Sequence, residues 1–195
     1  AAPGGGADFL ARLIFGKLAE LWGSTFAVEN MGTGIGGIPA MEVTMKAPAD
    51  GHTLLVTSSS SYLNASFVAP VTWDVRKALA PVSPMSSSTL MVGASLTTPY
   101  KNLKELIAHA KRNPNDVSYG VPGMGSSPHL AGELMQYMGG FKMAVIPYKG
   151  TGQSVLDTMA GRVPLVIGSV TALAPHARSG KIRAIGVTSA SRVPS

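Results

Sequence analysis

Val117-Ser118-Tyr119-Gly120-Val121-Pro122-Gly123-Met124-Gly125-Ser126-Ser127-Pro128-His129 is the stretch that decides the fold. Residues 117–121 read as a buried strand, 122–128 as a glycine- and serine-rich loop, and about 129–138 as a helix. The same step recurs on either side. Downstream come strands at 143–146 and 164–167, helices near 153–159 and 172–179, and a last strand at 183–188. Upstream, a helix over about 102–112 stops at Asn113-Pro114, and strands are expected near 80–83 and 90–94. The first part carries strands at 25–30 and 53–57 and a helix over about 38–46. Its opening helix sets Phe9, Leu10, Leu13, Ile14, Leu18, Leu21 and Trp22 at helical spacing. Such alternation predicts an α/β protein, with mostly parallel sheets flanked by helices on both faces.

No fixed-period repeat is present. The texture changes around residues 94–101, which divides the chain into a first lobe over 1–97 and a second over 98–188. Residues 189–195 then begin a return segment. A glycine loop before a helix ordinarily receives its chain from a strand, and none precedes Pro3. The chain is therefore expected to be an internal segment of a longer protein, with any export signal outside it.

Composition narrows the function. The chain has 195 residues, 45% hydrophobic and 13% charged, and can bury a real core. No apolar run approaches the ~20 residues of a membrane-spanning helix. The absence of cysteine removes disulfides, thiolate metal sites and cysteine nucleophiles. The net charge of +6 is dispersed, with Arg76-Lys77 and Lys111-Arg112 as the basic pairs, and no aromatic residues interleave with them. That excludes a nucleic-acid platform. It fits either a mild preference for small anions or a plain basic surface.

Several loops could hold an anion. Pro3-Gly4-Gly5-Gly6-Ala7-Asp8 leads into a helix, where unshielded N–H groups meet the partial positive charge of a helix start. The other reading is a glycine turn capped by Asp8. Ser58 and Ser59, in the cluster 58–61, stand at the carboxyl end of a strand and serve as anion donors or as a helix cap. Gly123, Gly125, Ser126 and Ser127 again precede a helix, with His129 in its first turn. Tyr148-Lys149-Gly150-Thr151-Gly152 is a further strand-to-helix junction, and Gly168-Ser169 closes another strand. In open α/β sheets ligands bind at that edge.

Gly32-Thr33-Gly34-Ile35-Gly36-Gly37 has the spacing of a dinucleotide fingerprint, but the acid required at the end of the next strand is missing. No G-x-S-x-G elbow, P-loop lysine or metal-spaced His or carboxylate pair is present. Neutral donors converging from several loops suit reversible binding rather than catalysis.

With these loops placed, the chain resembles the tripartite tricarboxylate transporter substrate-binding proteins, the Bug family. Seven segments carry the resemblance in order: Pro3-Gly4-Gly5-Gly6-Ala7-Asp8, Val28-Glu29-Asn30, Ala49-Asp50-Gly51-His52-Thr53-Leu54-Leu55, Ala80-Pro81-Val82-Ser83, Ser126-Ser127-Pro128-His129-Leu130-Ala131-Gly132-Glu133, Pro147-Tyr148-Lys149-Gly150 and Gly180-Lys181-Ile182-Arg183-Ala184. The resemblance implies a two-lobed, periplasmic-binding-protein-like fold of type II, truncated at both ends. It implies a monomeric periplasmic receptor that closes on a small di- or tricarboxylate and delivers it to membrane permease subunits. No cofactor, metal or catalytic residue belongs to that picture. The loops at 4–8 and 123–127 would form opposing jaws, with Ser58, Ser59, His129, Thr151, Gly168 and Ser169 near the ligand.

Met31-Gly32 departs from the family's common Arg-Pro, and Gly168 stands where many relatives carry an aspartate. Losing that negative group argues against an amino-acid ligand and for a simple carboxylate. Two other functions stay open: a nucleotide-dependent α/β enzyme using residues 32–37, and a sensory binding domain without transport.

Overall fold

Residues 6–31, 37–64 and 71–193 are described by this computed structural model, and they fall into two units, Ala1–Met85 and Ser86–Ser195. The second unit is built on one sheet of five strands: β1 (Leu90–Ala94), β2 (Ser118–Val121), β3 (Ala144–Pro147), β4 (Leu165–Ser169) and β5 (Arg183–Val187). Their spatial order is β3-β2-β4-β1-β5. β2 pairs in parallel with β3 and β4, whereas β1 is antiparallel to both β4 and β5. Four strands thus run one way and β1 alone is reversed. Two of the four pairings are antiparallel, so the sheet is mixed where a mostly parallel one was expected, because β1 inserts between β4 and β5. Leu90 lies opposite Ser169 and Ala94 opposite Leu165, so β1 begins at the edge where the parallel strands end.

Alternate residues face opposite sides, as the strand period requires. Val92, Ala94, Tyr119, Val121, Leu165 and Ile167 bury one face beneath Leu106 and Ala110 of α5 (Leu103–Arg112) and Met135 of α6 (Ser127–Gly139). Met91 and Val166 bury the other beneath Val155 of α7 (Thr151–Met159) and Leu173 of α8 (Val170–Arg178). Coverage on both faces explains why these strands read as continuous apolar runs. α6 lies close on the sheet because Gly132 carries no side chain. A Cβ there would stand 2.4 Å from the Tyr119 ring.

Local chemistry sets the ends of α5. Asn102 Oδ1 accepts the Glu105 N–H at 2.9 Å, and Glu105 accepts the N–H of Lys101, one residue before the cap, at 2.7 Å, a variant of the capping box. The Lys101 amide, with the Asn102 side chain, holds the Glu105 carboxyl below its ordinary range.

The first unit contains α1 (Gly6–Trp22), α2 (Ile38–Lys46), α3 (Ser59–Asn64) and α4 (Val75–Ala78). Met41 and Val75 form its buried centre, with Ile38, Leu55, Tyr62, Trp73 and Leu79 around them. Phe15 of α1 stacks on Phe26 at 5.2 Å. The strands expected at 25–30, 53–57 and 80–83 form no ladder among the described residues. Propensity for extended backbone makes a strand only where a neighbour completes its hydrogen bonds.

The lobe boundary read near residue 97 and the unit boundary at 85/86 differ because β1 is held between β4 and β5. Of the segment 189–195, residues 189–193 follow β5 without regular structure. Among the described residues no helix is long and apolar enough to cross a membrane.

Candidate functional site

Three parallel strands end at one edge of the second unit's sheet, and each hands its chain to a helix there. β2 leads through 122–126 to α6, β3 through 148–150 to α7, and β4 directly to α8. The route from β2 goes to β3 on one side, while the route from β4 passes β1 to β5 on the other. The two exits therefore diverge between β2 and β4, which makes this a topological switch point with a crevice outside the strand ends. Gly120 is level with Val166, so the loop after Val121 opens beside Gly168. The Thr151 methyl belongs to the same place, lying 3.0 Å from where a Cβ on Gly168 would stand. Gly123, Gly125, Ser126, His129, Thr151, Gly168 and Ser169 thus share one sheet edge.

The 123–126 turn needs its glycines, since Gly123 has φ +120° and Gly125 φ +72°. Ser126 closes the turn. Its hydroxyl donates to the Gly123 carbonyl at 2.7 Å and accepts the His129 N–H at 3.4 Å, capping α6. The Gly125 N–H donates to His129 Nδ1 at 3.0 Å. On the other side of the ring, Nε2 lies 3.9 Å from Glu133 Oε1. That oxygen accepts the Tyr119 hydroxyl at 2.7 Å and the Gln136 amide at 2.9 Å. Gln136 Oε1 in turn accepts the Met143 N–H at 2.6 Å. Burial first, and then Glu133, pushes the Tyr119 hydroxyl well above its ordinary range.

The three helix starts differ in how many donors they leave over. At α8, Ser169 Oγ accepts the Ala172 N–H at 3.3 Å and the Val170 N–H donates to the Thr89 carbonyl, which leaves the Thr171 N–H without a hydrogen-bond partner among the described residues. At α6, Ser127 is the first helical residue, and neither its N–H nor its hydroxyl has a hydrogen-bond partner among the described residues. α7 begins at Gly150, which offers no side-chain cap. Residues 121–130, 147–154 and 167–174 contain no aspartate or glutamate, and Lys149 adds an exposed positive charge. Such an edge can hold a negatively charged oxygen through neutral donors. Among the described residues no group of three His, Asp or Glu is placed to hold a metal ion.

The remaining predicted residues belong to the first unit. Gly4 and Gly5 lie outside the described residues, as do residues 32–36 of the other glycine loop. Gly6, Ala7 and Asp8 open α1. Asp8 is only 6% exposed, and its Oδ1 accepts both Arg12 Nε and Asn30 Nδ2 at 3.0 Å. Arg12 also donates to Asn30 Oδ1 at 3.1 Å, closing a triangle that ties residue 30 to α1. Ser58 Oγ accepts the Ser61 N–H at 3.2 Å and so caps α3, while Ser59 is the exposed first residue of that helix. Sequence reasoning missed the Asp8–Arg12–Asn30 triangle and the His129–Glu133 pairing. The four-residue spacings 8 to 12 and 129 to 133, one helical turn each, were the available signals.

A switch point whose loops carry neutral donors is the arrangement that suits ligand binding in an α/β protein. Residues 10–195 match the family described as tripartite tricarboxylate transporter family receptor, and the chain belongs to that family. It is 35% identical over 192 residues to Protein BugT of Bordetella pertussis, covering 97% of this chain and 59% of BugT. Among solved structures, R. palustris Rpa4515 with adipate is 32% identical with a TM-score of 0.69, over 98% of this chain and 64% of that one. MatC from Rhodopseudomonas palustris with bound malate is 25% identical with a TM-score of 0.65, over 98% and 65%. The chain thus spans less than two thirds of the length of each of these relatives.

Proposed function

We propose that this protein is a periplasmic solute receptor that captures a small di- or tricarboxylate. It would pass that solute to the membrane permease subunits of a tripartite tricarboxylate transporter, acting as a monomer without cofactor or catalysis. The observation that carries this reading is the donor-rich, carboxylate-free edge at the β2/β4 switch point. Adipate and malate in two related structures support the ligand class. One carboxylate is assigned to the 123–127 loop with Thr151, Gly168 and Ser169. The first unit's candidates for a carboxylate are the segment 4–8 and the hydroxyls of Ser58 and Ser59. Lobe closure excludes water and strengthens each donor's hold on the charge, and differential affinity for the closed form shifts the population toward it.

Isothermal titration of the full-length receptor with malate, adipate, succinate, citrate and glutamate tests the reading. At least one simple di- or tricarboxylate is expected to bind, and glutamate to bind more weakly, because the edge offers its ammonium no carboxylate partner. Silence across the whole panel would refute the proposal. A thermal shift with NAD, NADP or ATP would instead favour the nucleotide alternative built on residues 32–37. Carboxylate binding without retention of permease subunits would point to a sensor.

A further inference from the structure

We infer that His129 is a positioning residue of the carboxylate site, pinning the 123–127 loop through Nδ1 and tying it to the sheet through Glu133. The inference rests on the proposed function for what the loop touches. The brace itself is read from the fold.

Two left-handed glycines within three residues give the turn between β2 and α6 a large conformational choice. Something must select one geometry if Ser127 is to hold its donors in a fixed place. Ser126 supplies part of that selection through the Gly123 carbonyl at 2.7 Å. His129 adds a hold on the Gly125 peptide, with Nδ1 accepting its N–H at 3.0 Å. An N–H aimed at Nδ1 leaves the ring's proton on Nε2, which is the face turned toward Glu133. The His129 side chain is 13% exposed, so the imidazole is enclosed rather than swinging in solvent.

Glu133 is fixed independently. Its Oε1 accepts from Tyr119, in the middle of β2, and from Gln136, which also holds the Met143 backbone at the approach to β3. A continuous path therefore runs from the buried sheet to the tip of the loop, through groups in contact or facing one another. Such supporting shells keep a binding geometry within the tolerance that affinity needs. With Nδ1 engaged by Gly125, the ring acts on the ligand by holding the loop.

The test compares the full-length wild type with His129→Leu, which removes the acceptor, and His129→Asn, whose side-chain oxygen comes close to the place of Nδ1. Malate and adipate affinity and hydrogen exchange of the Gly125 amide are measured for all three. His129→Leu is expected to weaken binding about tenfold, the consequence of removing the hydrogen bond that Nδ1 makes to the loop. It should also speed Gly125 exchange, while His129→Asn restores both. Equal behaviour of the two variants, or Gly125 protection that never changes, overturns the inference. So does altered protection with unaltered affinity. If neither probe binds the wild type, the carboxylate reading fails, and Gly125 exchange still decides whether the brace exists.

Discussion

The two units differ most in what they bury. In the second, both faces of the sheet are covered, and Tyr119, Leu165, Val166, Ile167 and Leu173 are almost wholly enclosed. In the first, the buried apolar side chains among the described residues are Ala11, Met41 and Val75. α1 leaves Phe9 63% and Trp22 65% exposed, with Leu13 and Leu21 also outward. The difference teaches where a rigid binding edge comes from. A strand packed on both sides fixes the loop that leaves it, whereas a helix with an uncovered apolar face has fewer contacts to set its position.

The largest test of that contrast is truncation. Ile167→Ala should cost about 4 kcal/mol, a large-to-small change in a closed core, whereas Leu13→Ala should cost under about 0.5 kcal/mol. Hydrogen exchange followed by mass spectrometry reads both. Comparable losses would erase the distinction between the units. Next is the one well-built polar feature of the first unit. Asp8→Ala removes two of the triangle's three hydrogen bonds and should cost about 2 kcal/mol, seen as faster exchange confined to α1 and residues 28–31. An unchanged pattern would mean that the triangle contributes nothing there.

Gly168→Asp probes the switch point itself. Placing a carboxylate beside Thr151 should weaken malate or adipate binding about tenfold by like-charge repulsion. Full affinity in titration calorimetry would move the site elsewhere. The smallest effect is expected far from that edge. The Tyr100 hydroxyl is buried without a hydrogen-bond partner, so Tyr100→Phe should stabilise the second unit by about 1 kcal/mol.

The same substitution carries a pH signature. Burial, and then the charge of Asp116, pushes the Tyr100 hydroxyl up to about 12 from 10.0. The folded state holds this proton more tightly than the unfolded chain. Its titration therefore leaves stability unchanged below pH 10 and takes stability away as pH rises from there through about 12. The wild type should lose stability across that window, and Tyr100→Phe should lose less. Identical alkaline melting curves would rule this out.

Much of the second unit was legible before folding. The strand expected at 90–94 matches the structure residue for residue, and α5 differs by one position. Asn102, Ser126 and Ser169 are caps whose partners lie three residues on, within reach of a sequence reading. The first unit was harder. Residues 25–30 and 53–57 have strand composition, but composition cannot state whether a partner strand will be present. The reversal of β1 was likewise hidden, because five apolar residues read the same in either direction.

Sequence alone determined the α/β alternation and the family. It also determined that the loops leading into α6, α7 and α8 carry glycines and hydroxyls without carboxylates. These are properties of short windows, set by backbone preference and side-chain chemistry within a few residues. Tertiary structure alone decided the order β3-β2-β4-β1-β5, and hence the place where the chain's exits diverge. It also joined Asp8 to Asn30, and Tyr119 through Glu133 to the histidine that holds Gly125. The strand order and the longer of these links join residues distant in the chain, and they exist only once burial has chosen which surfaces meet.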